Sequence, residues 1–234
     1  MRPSIIEVDL NILTNNLRLI REHIDNRLVM AVVKSNAYGH GLVRVANLYE
    51  QLGVNSLGVA LPEEGIILRK SGISLPIAVF GGLLMEQIPE LMDWDLEFIV
   101  PSTDVIKFTE KFCKEQNRSA TIHLKIDTGM GRIGTIAENS ESLIASALDS
   151  EHINIKGVCS HFACADDPED PMTHEQIDRF LEAVAFFEKL GACTPLRHIA
   201  NSGGVLYFPQ SHLDIVRPGI ILYGVYPEPA CPRV

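Results

Sequence analysis

Short β-branched and aliphatic runs recur along this chain, each followed by residues at helical spacing, and that alternation restricts the fold more than any single motif. Leu28–Val33, Ser56–Ala60, Ile77–Phe80, Leu96–Val100, Thr121–Ile126, Ile155–Ser160, Arg197–Ala200 and Leu213–Val216 read as strands. Most are continuous in apolar residues rather than alternating, the pattern of parallel strands covered on both faces. Between them, Leu42, Val45, Ala46, Tyr49 and Leu52 form one apolar helical stripe, and Ile177, Phe180, Leu181 and Val184 form another. Thr173 and Gln176 have the spacing of a capping box at the start of that second helix, and Gly191 can end it. Pro62 opens a helix before Gly72, and Ser102 can cap the next. Eight strands alternating with helices predict a closed α/β barrel, the (β/α)8 TIM-type fold, over residues 10–226. An open doubly wound sheet is the alternative. Within residues 1–9, Ile5–Asp9 reads as an extra strand, followed by a helix carrying Leu10, Leu13, Leu17 and Ile20. Residues 227–234 are proline-rich and read as the start of a linker.

Composition removes several classes of function. The net charge is −10 with no clustered Lys or Arg, so a nucleic-acid partner is not expected. Glu7 and Asp9 interrupt the apolar core that a signal peptide needs. The longest apolar run, Gly72 to Met85, is broken by Ser74, Pro76 and two glycines and is too short to span a bilayer. A cytoplasmic protein with no membrane partner is the expectation. The five cysteines, Cys113, Cys159, Cys164, Cys193 and Cys231, are odd in number and form no C-x-x-C pair, which predicts reduced thiols. Cys159, His161 and Cys164 match no closed four-ligand spacing, and Asp178 stands where a zinc-protease helix starting at His174 needs its second histidine. No metal is expected.

In a barrel of this kind functional groups collect at the C-terminal ends of the strands. Lys34 ends the first strand, "KIDTGMGRIG" the fifth, and His161 the sixth; "ANSGG" ends the seventh and "VRPGI" the eighth. Asn201 and Ser202 precede two glycines, where backbone N–H groups can face an anion, and Gly219 permits close approach on the neighbouring loop. A plain turn is the competing reading of "NSGG" alone. Beside "RPG" the phosphate reading gains, because loops after strands seven and eight form the common phosphate site of this fold. A lysine partly withdrawn from water can attack a carbonyl, so an aldehyde that also bears a phosphate suggests pyridoxal 5'-phosphate. The Tyr38 hydroxyl can reach the phosphate, although an amphipathic core role for Tyr38 is equally open.

At this point five segments resemble one family. "AVVKSNAYGHG" is similar to the cofactor-lysine signature of the alanine racemases, and "HLKIDTGMGRIG" to their second characteristic segment. "HFACAD", "HIANSGG" and "VRPGIILYG" resemble later segments, in the family's order, so the resemblance runs from about Ile6 to Tyr226. It implies that Lys34 carries pyridoxal phosphate covalently and handles the α-proton on the D-alanine face. Tyr38, Ser202, Gly219 and Ile220 would hold the phosphate, with Asn201 nearby. Arg217 would meet the pyridine nitrogen as a donor only, because arginine keeps its proton in a protein. His161 would lie by the ring and Arg132 would reach the substrate carboxylate. Lys125 would be carbamylated and brace Arg132. The activity implied is interconversion of L- and D-alanine, the supply of D-alanine for bacterial peptidoglycan, by a homodimer. In the family the opposite proton relay is a tyrosine on a C-terminal β-domain of the partner subunit, and no segment here matches it. The expectation is therefore a cofactor-bearing N-terminal domain, weakly active or inactive alone, whose first strand packs on that absent domain. A stand-alone, non-catalytic cofactor barrel and a racemase for serine or another amino acid are the alternatives.

Overall fold

A computed structural model of the chain describes residues 5–226. Nine parallel strands occur among them: β1 (Leu28–Val32), β2 (Ser56–Val59), β3 (Ile77–Val79), β4 (Glu97–Val100), β5 (Ala120–Asp127), β6 (Thr135–Ile136), β7 (Ile153–Cys159), β8 (Leu196–His198) and β9 (Ile215–Val216). Their order is β8-β7-β5-β4-β3-β2-β1-β9, with the two-residue β6 attached to β5 alone. Between β8 and β9 the barrel closes through backbone bonds rather than a regular ladder, Asp214 N to Arg197 O (3.3 Å) and Arg217 N to Ala200 O (2.9 Å). The expected eight-stranded (β/α)8 barrel is the observed fold.

Apolar packing divides into two bodies. The large one lies between the sheet and the outer helices and includes Val29, Leu57, Phe98, Ile122, Phe180 and Phe187. A small one sits inside the barrel, made of Met30, Ala78 and Ile215 with Phe80 packed against it. That interior plug leaves the space above it to polar side chains.

Local signals account for most element ends. The Asp9 carboxylate accepts from Asn11 N at 2.8 Å and starts the helix Leu10–His23, whose Leu13, Leu17 and Ile20 are buried. Asn16 Nδ2 donates to Leu222 O at 3.1 Å, fixing this helix beside the segment Ile220–Tyr223. Pro62 begins the helix Pro62–Lys70, and Ser102 caps Thr103–Gln116 by accepting from Val105 N.

Ile5–Asp9, expected to pair with a domain outside the described residues, has no ladder partner among them, and Ile5 and Ile6 are 77% and 83% exposed. One expectation is corrected. Thr173 and Gln176 do not cap the helix Met172–Val184, which starts two residues earlier than such a box requires, after Pro171. Both side chains are buried; Thr173 Oγ1 has no partner, and Gln176 turns inward to the site described below. Residues 227–234, the expected linker, and Cys231 lie outside the described residues.

Truncating Leu17, which is 1% exposed on the buried face of the helix Leu10–His23, is expected to cost about 2–5 kcal/mol. Urea unfolding of Leu17→Ala against the parent measures it, and a loss below about 1 kcal/mol would show that the packing of this helix contributes little to stability.

Candidate active site

The β1 strand hands the chain to a conformation rare for L-residues. Ser35, Asn36, Ala37 and Tyr38 have φ of 54°, 56°, 53° and 52°, one left-handed turn that Gly39 continues at 88°. Each non-glycine residue there costs about 1–2 kcal/mol. Fixed hydrogen bonds offset that strain. Glu64 accepts from Ser35 N (2.5 Å), Ala60 N (2.9 Å) and Leu61 N (3.2 Å), tying the turn to the end of β2. Asn36 Oδ1 accepts from Leu42 N at 2.8 Å, and Ala37 N donates to Val33 O at 2.8 Å. The turn sets Lys34 and Tyr38 on one cavity wall, with Lys34 Nζ 5.9 Å from the Tyr38 ring centroid.

That cavity, about 520 Å³ at the C-terminal mouth of the barrel, is lined by all ten of the site residues expected from the sequence: Lys34, Tyr38, Lys125, Arg132, His161, Asn201, Ser202, Arg217, Gly219 and Ile220. A wider groove of about 920 Å³, along the helix Leu42–Gln51 on the outside of the barrel, contains none of them.

One end of the cavity is built from backbone and hydroxyls. Gly219 N donates to Ser202 Oγ at 3.0 Å. A Cβ at Gly219 would lie 2.6 Å from Tyr38 Oη, so only glycine lets the phenol reach this backbone. A Cβ at Gly203 would fall 2.2 Å from Ala165 O, which explains the first glycine of "NSGG" as a packing requirement. Asn201 Oδ1 is engaged with Gly204 N at 2.9 Å, capping the short turn Ser202–Tyr207. Burial raises the Tyr38 pKa, so its hydroxyl keeps its proton.

The other walls are cationic. Arg132 rides on the loop after β5, organised by Asp127: its carboxylate accepts from Gly129, Met130 and Gly131 N at 2.9–3.1 Å. Burial raises the Asp127 pKa, but those amides outweigh it and hold the carboxyl below its usual range. Lys125 is buried, its ammonium donating to Ile126 O at 3.1 Å; burial, then Arg217 and Arg132, push its pKa down against the opposing Cys159 and Asp127. Arg217 is buried beneath the cavity and donates to Ser160 O (2.8 Å), Ile199 O (3.2 Å), His161 Nδ1 (3.2 Å) and His198 Nδ1 (2.9 Å). Its guanidinium stacks over Phe80 at 5.5 Å.

Since arginine only donates, both imidazoles must present a bare Nδ1 and are neutral. Their pKa values agree: burial and the Arg217 charge push His161 down to about 2 and His198 well below 6.5.

Sequence reasoning missed the braces behind this wall. Gln176 donates to Thr128 Oγ1 (3.1 Å) and His161 O (3.0 Å) and accepts from Ala163 N (2.9 Å), joining two rim loops. Thr128 and Ser160 share a hydroxyl bond of 2.8 Å. His123, His198 and Glu64 were also missed. A usable signal existed for His123, which stands two residues before Lys125 on a strand and so shares its face.

The chain matches the family model "Alanine racemase, N-terminal domain" over residues 8–227. The chain belongs to the alanine racemase N-terminal domain family. Alanine racemase 1 of Caldanaerobacter subterraneus subsp. tengcongensis is 40% identical over 230 residues, covering 97% of this chain and 59% of the relative. Alanine racemase of Methanococcus maripaludis is 37% identical over 228 residues, 97% of this chain and 61% of the relative. The alanine racemase of Clostridium difficile 630 in complex with cycloserine superimposes with a TM-score of 0.88 at 32% identity, covering 95% of this chain and 61% of that one. The chain therefore spans about three-fifths of the length of the relatives it matches. No helix among its described residues is long and apolar enough to cross a membrane.

The neutral imidazoles beside Arg217 carry a pH signature. His198 and His161 have folded pKa values below the unfolded 6.5, so the unfolded chain takes up protons that the folded chain refuses. Stability is complete above that value and falls as pH drops through it, by about 1.4 kcal/mol per pH unit for each such imidazole. Urea unfolding between about pH 7.5 and pH 5 tests this; a flat profile would contradict the assignment.

Proposed function

We propose that this domain is the cofactor-bearing part of an alanine racemase that uses pyridoxal 5'-phosphate to interconvert L- and D-alanine. One observation carries the reading: Lys34, Lys125, Arg132 and Arg217 face a single cavity whose lining includes one carboxylate, Asp166, in a chain of net charge −10. Concentrating cations against the overall charge suits an anionic ligand. The cavity volume lies in the range of small-molecule sites.

The residues fit the cofactor. Tyr38 Oη, Ser202 Oγ and the backbone at Gly219 and Ile220 converge at one end, where they would hold the phosphate. Lys34 opens onto the same cavity and would carry the aldehyde carbon. When bound, pyridoxal phosphate supplies an electron sink that acidifies the substrate's α-proton.

The protein's part is then binding, orientation and proton handling. Arg217 commits one Nη1 and both Nη2 hydrogens to protein acceptors, leaving one Nη1 hydrogen and Nε–H for the ring nitrogen. A donor that never releases its proton would leave that nitrogen unprotonated and moderate the sink. Lys34 would exchange the α-proton on one face, and Arg132 would hold the substrate carboxylate. The lowered Lys125 pKa favours the neutral amine that carbon dioxide needs; the resulting carbamate would relieve the repulsion among Lys125, Arg132 and Arg217. His161 is engaged with Arg217, and the relay for the opposite face would come from outside the described residues, in the homodimer of the whole enzyme.

Titration with pyridoxal phosphate is expected to give the parent a visible absorption band that survives gel filtration, and to give Lys34→Ala none. Equal bands would overturn the attachment. Racemisation by the 234-residue chain alone is expected about 10²-fold or more below that of a full-length relative, the usual effect of losing an acid–base group. Comparable turnover would place both relays within this domain.

A further inference from the structure

Inside the barrel a hydrogen-bonded chain runs from the cavity to the opposite end. Arg217 Nη1 contacts His198 Nδ1 at 2.9 Å, His198 Nε2 contacts His123 Nδ1 at 2.9 Å, and His123 Nε2 contacts Glu97 Oε2 at 2.9 Å. Glu97 begins β4, at the end of the barrel remote from the cavity, with 13% of its side chain exposed. His123 and His198 are 2% and 0% exposed.

The donor roles have one solution. Arginine only donates, so His198 Nδ1 is bare and its hydrogen sits on Nε2; that hydrogen faces His123 Nδ1, which must accept; the His123 hydrogen is then on Nε2 and points at the carboxylate. Every hydrogen in the chain is directed from guanidinium towards carboxylate, so the bonds polarise one another in the same sense. Reversing either imidazole would set N–H against N–H, or leave a buried acceptor facing an acceptor.

A second observation supports the chain. Gly157 on β7 is paired with His123 across a register shift after Ile122. A Cβ there would lie 2.5 Å from His123 Nδ1 and 3.0 Å from His198 Nε2. Gly157 is absent from the positive-φ positions, so its backbone does not require glycine. The space for the imidazole pair does.

We propose that Glu97, acting through His123 and His198, is a positioning residue that fixes the hydrogen-bond direction and placement of Arg217. Its consequence for the cofactor ring rests on the function proposed above; the chain itself does not.

The test uses the full chain with nitrogen-labelled histidine, without cofactor, and reads tautomers from long-range proton–nitrogen correlations. The parent is expected to show His123 and His198 both as Nε2–H. Glu97→Gln keeps an acceptor oxygen and should preserve that pattern. Glu97→Leu should lose it, and so should Gly157→Ala, which separates the rings while removing no polar group. An Nδ1–H tautomer at His198 in the parent, or an unchanged pattern in Glu97→Leu and Gly157→Ala, overturns the proposal, including when those variants are merely less stable. If Glu97→Leu does not fold, Gly157→Ala and Glu97→Gln decide. In a second arm, pyridoxal phosphate affinity is expected to fall about ten-fold in Glu97→Leu and stay within about two-fold in Glu97→Gln. Altered tautomers with unaltered affinity would overturn the positioning of Arg217. A parent that binds no pyridoxal phosphate would instead defeat the proposed function, with the tautomer arm still deciding the chain.

Discussion

A guanidinium buried without an adjacent carboxylate constrains everything around it. Arg217 has no salt bridge among the described residues, so its hydrogens go to backbone carbonyls and to two imidazoles that must stay neutral to accept them. The neutralising charge stands three side chains away, at Glu97. Separation has a physical rationale: a carboxylate in direct contact would occupy the donors that the proposed ligand needs. Routing the pairing through neutral rings keeps part of the electrostatic stabilisation while leaving hydrogens directed upward.

The left-handed turn at Ser35–Tyr38 is the second constraint. Its conformation is unfavourable residue by residue, yet it returns the chain so that Lys34 and Tyr38 face the same cavity. Glu64 is shared between this turn and the end of β2, binding two rim segments with one carboxylate. Asp127 does the same work inside its own loop, and Gln176 between two loops. The rim is therefore held by single side chains with several acceptors or donors each, which gives precise placement without a packed apolar layer.

Much of the barrel was legible because parallel strands sandwiched between a plug and a layer of helices must be apolar on both faces. The eight runs stand out for that reason, and their ends locate the rim. The short strand before Arg217 was overextended, since Leu213 adopts φ 49° and the Asp214 carboxylate is drawn to Arg197. The apparent capping box at Thr173 failed because spacing cannot tell a cap from a side chain recruited into the interior. Polar residues inside the barrel were the least legible: His123 and His198 lie 75 positions apart, and only the β5–β7–β8 register brings them together.

Register also explains why the interior chain requires glycine on the strand between. β7 separates β5 from β8, so any side chain at position 157 would stand between the two histidines. The register shift after Ile122 brings Gly157, rather than Lys156, opposite His123. A regular ladder would have presented the lysine at that level, and an ammonium cannot accept from a ring nitrogen or share space with two imidazoles. One extra residue in β7 thus admits a bond between strands that are not neighbours. The alignment of Arg217 depends on an irregularity in the sheet as much as on the groups it touches.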